Sequence, residues 1–365
     1  MELPPIRRAA AVREPGGLLS LRLLSTGLSG PGAATAADAV GRLLAVQAQN
    51  AADAAWGIGL RAPGVTAGDV KSALARQELV LTWTMRGTLH LIRPADAAWL
   101  LPLLGPRASG RQAVLRRNEG AGDEAVQRAV TVVRELLQAG PVLRPAVVRA
   151  LEEDAGLSRA AASNVLRYLA QEQIIVFGPP GGKTPSFDLY ARVVPAAPPL
   201  SREQAMARLA VRYFSGHGPA TVRDLAWWSG LTLGDARLAV ERAGTALTVL
   251  QAEEQQWYLA PERLEEEPPS PDRTVHLLPG FDEYHIGYAG RELILDPAHR
   301  GVVGPAKNGL FRNVVLVGGR IAGVWNRGRD ASVTVEAFDG SPYPAGTDPD
   351  QLRRAGEAYA RFTGT

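Results

Sequence analysis

Apolar positions in this chain fall into short helical and extended blocks separated by glycine and proline, and two stretches carry the blocks in the same order. One reads GPVLRPAVVRALEEDAGLSRAAASNVLRYLAQEQIIVFG (140–178), the other GPATVRDLAWWSGLTLGDARLAVERAGTALTVLQAEEQQWYLA (218–260). Each opens on Gly-Pro, predicts a short helix, turns at a glycine (Gly156, Gly230) and restarts at Ser158 or Thr232, whose hydroxyls suit a helix N-cap. In the first copy Ala162, Val165, Leu166 and Leu169 recur at i, i+3, i+4 and i+7, the apolar face of a helix. An extended run follows in both (QIIVF, QQWYL). Helix, turn, helix and hairpin in that order predict a winged helix, whose second helix is the usual reader of the major groove.

A weaker third copy precedes them. TAADAVGRLLAVQAQ supplies a first helix, TAGDVKSALARQ a second capped at Thr66, and LVLTWT with TLHLI a hairpin around Arg86-Gly87. Strand alternation there sets Trp83, Met85, Gly87, Leu89 and Leu91 on one face and Thr84, Arg86, Thr88 and His90 on the other. The proline-rich runs VVPAAPPLS (193–201) and PERLEEEPPSPDR (261–273) read as linkers. After them, TVHLLPGFDEYHIGY, NVVLVGGRIAGVWNR and ASVTVEAF predict a small antiparallel sheet, and DPDQLRRAGEAYARF a closing helix. The expected fold is α+β, with three tandem winged helices (helix-turn-helix plus β-wing) at 1–125, 126–195 and 200–265 and a C-terminal β-rich region with its helix at 270–365.

Composition narrows the class. A chain of 365 residues is too long for one core, and 46% hydrophobic with 21% charged residues is the balance of a folded protein. No apolar run reaches the ~18 to 20 residues of a membrane span, and MELPPIRRAAAVREP has no signal-peptide core, so a bacterial cytoplasmic protein associated with the nucleoid is expected. Without cysteine there is no disulfide, thiolate nucleophile or Cys-ligated zinc. Net charge is only +3, but lysine occurs solely at Lys71, Lys183 and Lys307, so nearly all of the 40 basic residues are arginine. The guanidinium fork suits phosphate, and a GC-rich genome gives the same excess.

Familiar catalytic motifs fail on spacing. GPPGGKT (178–184) puts Phe177 where a phosphate loop needs its first glycine, and it lies between strands, so it reads as a wing tip with Lys183 a phosphate contact. None of His90, His217, His276, His285 and His299 is spaced at i+3 or i+4 from a histidine or carboxylate on an evident helix, so no metal site is expected, and no cofactor. A lone strand histidine such as His90 is more often a hydrogen-bonded structural residue. No Gly-x-Ser-x-Gly elbow occurs. In GFDEYH, Asp282 and Glu283 would point to opposite faces of a strand, one meeting an arginine and the other solvated, with either also able to reach a neighbouring module's cleft. Arg86 would grip a phosphate or shape its hairpin.

LLAVQAQN (43–50) closes an apolar run on two amides. On a continuing α-helix Gln47 and Gln49 lie about 200° apart, so both can address one water only if the helix ends or distorts there, as Asn50 and AADAAWG permit. The competing reading makes them solvated helix-end polars.

Together VQAQN, TWTMRGTLHLI, LLPGFDEYHIGY and GRIAGVWNR, in order from about Leu18 to Phe338, resemble the tandem winged-helix DNA glycosylases of the AlkZ and YcaQ type. The resemblance implies a C-shaped protein that excises N7-alkylated purines and, in the AlkZ-like branch, unhooks interstrand crosslinks made by antibiotics. That branch carries Gln, an apolar residue and Gln, matching Gln47, Ala48 and Gln49; the YcaQ-like branch has an acidic residue where Gln49 stands. It further implies a self-resistance enzyme of an antibiotic producer; separately, a bulky adduct could not follow a flipped base into a snug pocket, so an open cleft between winged helices would reach the sugar without extruding the base. The expected partner is double-stranded DNA carrying alkylated guanine, bound by a monomer without metal. Expected DNA contacts are Asn50, Arg86, His90, Lys183, Lys307, Asn308, Arg312 and Arg327, with Trp83, Asp282 and Glu283 in a supporting tier.

Chemistry gives amides a role of their own. N7 alkylation leaves guanine cationic and ready to depart, so the remaining task is to aim a water at C1′, which a carboxamide does by accepting through oxygen and donating through nitrogen. The alternative is a winged-helix transcriptional regulator, for which Arg159, Ser163, Asn164 and Arg167 would serve, although no dimerisation segment is evident. A nuclease is disfavoured by the lack of a carboxylate cluster for metal.

Overall fold

The computed structural model describes residues 7–8, 15–252, 254–265, 274–305, 309–328 and 332–364. The chain divides into two compact units, Met1–Val70 with Met206–Thr365, and Lys71–Ala205. Among the described residues no helix is long and apolar enough to cross a membrane.

In the first unit, helices Pro15–Ser25, Ala36–Leu43, Ala51–Gly59 and Arg202–His217 are followed by the pair Val222–Ser229 and Leu233–Ala243 and the hairpin Thr248–Ala252/Gln255–Leu259. Local chemistry sets the pair. Thr221 and Asp224 form a reciprocal capping box, Gly230 closes the first helix in the left-handed region (φ 76°), and the Thr232 hydroxyl accepts from Asp235 N–H, as the sequence predicts. The C-terminal strands form a four-stranded antiparallel sheet in chain order, Val275–Leu278, Val314–Val317, Arg320–Arg327 and Val333–Ala337. Gly318 and Gly319 join its middle strands, both at positive φ (56° and 82°), a tight turn few other residues adopt. Leu19, Leu23, Leu278, Tyr284, Leu316 and Val324 fill the core against this sheet, and helix Pro349–Thr363, capped by Asp348, packs on its edge strand.

The second unit carries the hairpin Val80–Trp83/Leu89–Ile92, the long helix Pro94–Asn118, helices Asp123–Leu136, Arg144–Glu153 and Arg159–Gln171, and a three-stranded sheet ordered Val142–Leu143, Thr184–Leu189, Ile175–Gly181. Ser158 caps the fourth helix through Ala161 N–H. The core is alkyl and aromatic, with Val133, Val147, Leu151, Leu166, Leu169 and Phe187 fully buried. The long helix retains Pro102 and Pro106 in its interior, where each lacks the backbone N–H of an ordinary helical residue.

Candidate active site

The apolar run before the two amides is not one helix. Ala36–Leu43 ends early, Leu44 takes a positive φ of 66°, and Ala45–Gln47 is extended. Nothing in LLAVQAQ breaks a helix by itself, and a second helix packs against the turn. A Cβ at Gly216 would lie 2.3 Å from the Arg42 carbonyl oxygen, so helix Arg202–His217 reaches this turn only because Gly216 has no side chain. Asn50 then caps Ala51–Gly59, its Oδ1 accepting from Ala52 and Asp53 N–H at 3.0 and 3.3 Å. The 200° separation expected of a continuing helix therefore does not apply. Gln47 is buried at 7% exposure and Gln49 is exposed.

A carboxylate distant in sequence fixes the extended segment. The Gln47 N–H donates to Glu283 Oε1 at 3.0 Å. Glu283 Oε2 accepts from Trp228 Nε1 at 2.8 Å and stands 3.3 Å from His217 Nε2. Tyr213 stacks on His217 with ring centroids 4.7 Å apart, and its hydroxyl donates to the Gly287 carbonyl at 2.8 Å. A buried carboxylate is stable only when its lone pairs are occupied, and here the Gln47 and Trp228 N–H groups occupy them with the His217 ring alongside. The expectation that one of Asp282 and Glu283 is solvated is corrected, because they are 2% and 1% exposed. The Asp-Glu pair opens a one-turn helix, Glu283–Ile286, which sends the two carboxylates in different directions.

Asp282 is buried and meets an arginine, as one of its readings held. Arg61 grips both its oxygens at 2.7 and 2.8 Å and also donates to the Gly57 and Thr26 carbonyls, each at 2.7 Å. Arg22 lies 3.7 Å above the Tyr288 ring and donates to the Pro219 carbonyl at 2.9 Å. Asp53, one turn into Ala51–Gly59, is held above the usual carboxylate range by burial, and Arg327 opposes the shift. Burial also keeps His276 neutral, pushed down to about 4, and His285, pushed down to about 3 with Arg291 adding to the effect.

Of the other expected contacts, Lys183 is exposed at the tip of its hairpin, next to Gly182 (φ 67°). Arg86 is half-buried in the short turn Met85–Gly87, with φ 55°. Arg312 pairs with Glu336 at 2.8 Å, and the exposed Arg327 donates to the Tyr359 hydroxyl at 3.1 Å. Lys307 and Asn308 lie outside the described residues. His90 is corrected as a DNA contact. It is fully buried, with Nδ1 2.8 Å from Thr84 Oγ1 and 3.0 Å from the Thr88 carbonyl, because Leu89–Ile92 buries both faces rather than alternating. Trp83 is likewise a packing residue, with its ring 4.9 Å from Phe177 and 6.3 Å from Phe187. Sequence reasoning missed Arg61, His217 and Trp228. The available signal was the charged Asp282-Glu283 pair set between Phe281 and Tyr284, since adjacent carboxylates in an aromatic run need buried partners. Among the described residues no cluster of histidines and carboxylates could hold a metal ion.

The chain is a helix and sheet protein in which Gln47 ends a short extended segment and Gln49 lies two residues beyond it. The family model for AlkZ-like DNA glycosylases matches residues 40–362, and the chain belongs to that family. It is a DNA glycosylase. A Streptomyces sahachiroi protein named "Interstrand DNA cross-link repair glycosylase" is 30% identical over 304 residues, 80% of this chain and 82% of that protein. The solved structure of Streptomyces sahachiroi DNA glycosylase AlkZ superposes with a TM-score of 0.85 at 26% identity, covering 98% of each chain.

Proposed function

We propose that this enzyme hydrolyses the N-glycosidic bond of bulky N7-alkylguanine adducts and of interstrand crosslinks formed through guanine N7, with Gln47 and Gln49 positioning the water. The observation that carries the reading is the lock on the motif: the Gln47 backbone is held by a buried Glu283, and exposed Gln49 follows two residues later. The C1′–N9 bond breaks with its electron pair going to the base, which neutralises the N7 cation. The water oxygen bonds C1′ of the oxocarbenium-like sugar and its proton passes to solvent. Amides orient the water without deprotonating it, so the enzyme is restricted to leaving groups that are already cationic. The crosslink activity named for the Streptomyces relative supports the substrate class.

Two segments with the order helix, turn, helix, hairpin support a reading as winged helices, and we assign three, with the N-terminal one ending near 125, the others at 126–195 and 200–265, and the C-terminal β region from 270. We assign DNA contacts to Lys183, Arg86, Arg327, Arg312 and Asn50 of a monomer that protects an antibiotic producer's own chromosomal DNA in the cytoplasm. A regulator without activity is not favoured, given the family.

The test uses duplexes with a single N7-methylguanine, a bulky N7 adduct or a neutral lesion such as uracil, in chelator. Free base and alkali-labile sites from the two N7 substrates alone are expected. Uracil release at a comparable rate would contradict the restriction to cationic bases.

A further inference from the structure

The unit Lys71–Ala205 contains a notch of about 130 Å3 lined by Arg144, Arg159, Ser163 and Thr184, with Val148 beneath. Two helix starts and a hairpin build it. Arg144 opens Arg144–Glu153, Arg159 opens Arg159–Gln171 with Ser163 one turn on, and Thr184 begins the strand that follows exposed Lys183. The Arg144 guanidinium donates to Ser163 Oγ at 3.4 Å, and Ser163 Oγ donates to the Arg159 carbonyl at 3.1 Å. Both arginines are exposed, no carboxylate lines the notch, and neither guanidinium is ion-paired among the described residues.

Two unneutralised guanidiniums facing two hydroxyls in a small space select an oxyanion. The volume is well below the roughly 300 to 1,000 Å3 of a drug-sized or nucleotide ligand. Forked N–H donors match paired phosphate oxygens, and a hydroxyl completes the shell. We propose that this notch seats one backbone phosphodiester of the DNA, gripped by Arg144 and Arg159 with the Thr184 hydroxyl donating and Ser163 holding the Arg144 guanidinium in place, while Lys183 meets a neighbouring phosphate. The inference rests on the enzyme acting on DNA and is independent of the roles given to Gln47 and Gln49.

Fluorescence anisotropy with an undamaged duplex, measured over a range of monovalent salt, tests it. The double variant Arg144→Ala, Arg159→Ala is expected to weaken binding about tenfold at low salt and to lower the slope of log Kd against log salt by about one. Ser163→Asp sets a carboxylate in the notch on an otherwise intact helix and should weaken binding in the same direction, which covers the case of a poorly folded double variant. Arg353→Ala, which removes one exposed positive charge from helix Pro349–Thr363, controls for net charge and should leave affinity and slope unchanged. Wild-type affinity and slope in both notch variants would overturn the proposal. Calorimetric binding of inorganic phosphate, abolished by the double variant while duplex binding stays intact, would overturn it in favour of a free-anion site.

Discussion

Two arginine pairs, one in each unit, are used in opposite ways. Around the glutamine motif, Arg61 and Arg22 are buried and serve as structure, Arg61 joining Asp282 to the carbonyls of Gly57 and Thr26. In the unit Lys71–Ala205 the core cluster is hydrophobic, and Arg144 and Arg159 stay in solvent beside a hairpin tip. A buried charge network is unforgiving, because every member must be satisfied, and it therefore fixes geometry. Exposed arginines over an alkyl core leave stability alone and remain available for a ligand. The first arrangement suits a site that must aim a water, and the second suits a surface that holds a polyanion by charge.

The comparison breaks most sharply at Arg61. Arg61→Ala leaves Asp282 buried without its counter-charge and should cost about 3 to 5 kcal/mol, read as a lower denaturant midpoint at unchanged slope. Joint replacement Arg61→Met, Asp282→Leu should recover only part of that loss, since an apolar pair removes the uncompensated charge but leaves the Gly57 and Thr26 carbonyls and the Tyr284 N–H without their partners. Next comes acid. The unfolded chain takes up a proton at His285 near pH 6.5, whereas the folded chain refuses it until about 3, so stability is full above 6.5 and falls as pH drops toward 3. The loss accumulates through that window, and His276, refusing its proton until about 4, adds to the slope. Calorimetric melting at pH 7, 5.5 and 4.5 measures the loss, and His285→Phe should flatten it.

A smaller effect separates fixing the site from binding DNA. Glu283→Gln keeps an acceptor for the Gln47 N–H but offers a weaker partner to Trp228 and His217. Its single-turnover base release should fall about 100-fold, the scale of a misplaced reacting group, with duplex affinity held within a few-fold. The smallest change is expected at Lys183, where Lys183→Ala should alter stability by less than about 0.5 kcal/mol and weaken duplex binding only a few-fold, the loss shrinking at high salt.

Local chemistry made much of the fold legible. Ser158, Thr232 and Asn50 carry caps whose partners are two or three residues away, and Gly318-Gly319 declares its turn, so those elements can be read from the chain. The break at Leu44 could not be read that way. LLAVQAQ has helix-forming residues throughout, and the helix that packs against the break, at Gly216, lies far along the sequence. The same holds for the site. The two amides are visible as an odd close to an apolar run, yet their anchor is Glu283, 236 residues away, with no local pattern linking them. His90 shows the converse: strand alternation predicts an outward face, and burial on both faces overrides it.

Single-turnover release of the base from a duplex bearing one bulky N7-alkylguanine, by wild type and by the Gln47→Ala, Gln49→Ala variant at saturating enzyme, bears most directly on the amides. We predict a fall of at least about 100-fold in the variant while it still binds the duplex. A rate within a few-fold of wild type would contradict the assignment of catalysis to this segment.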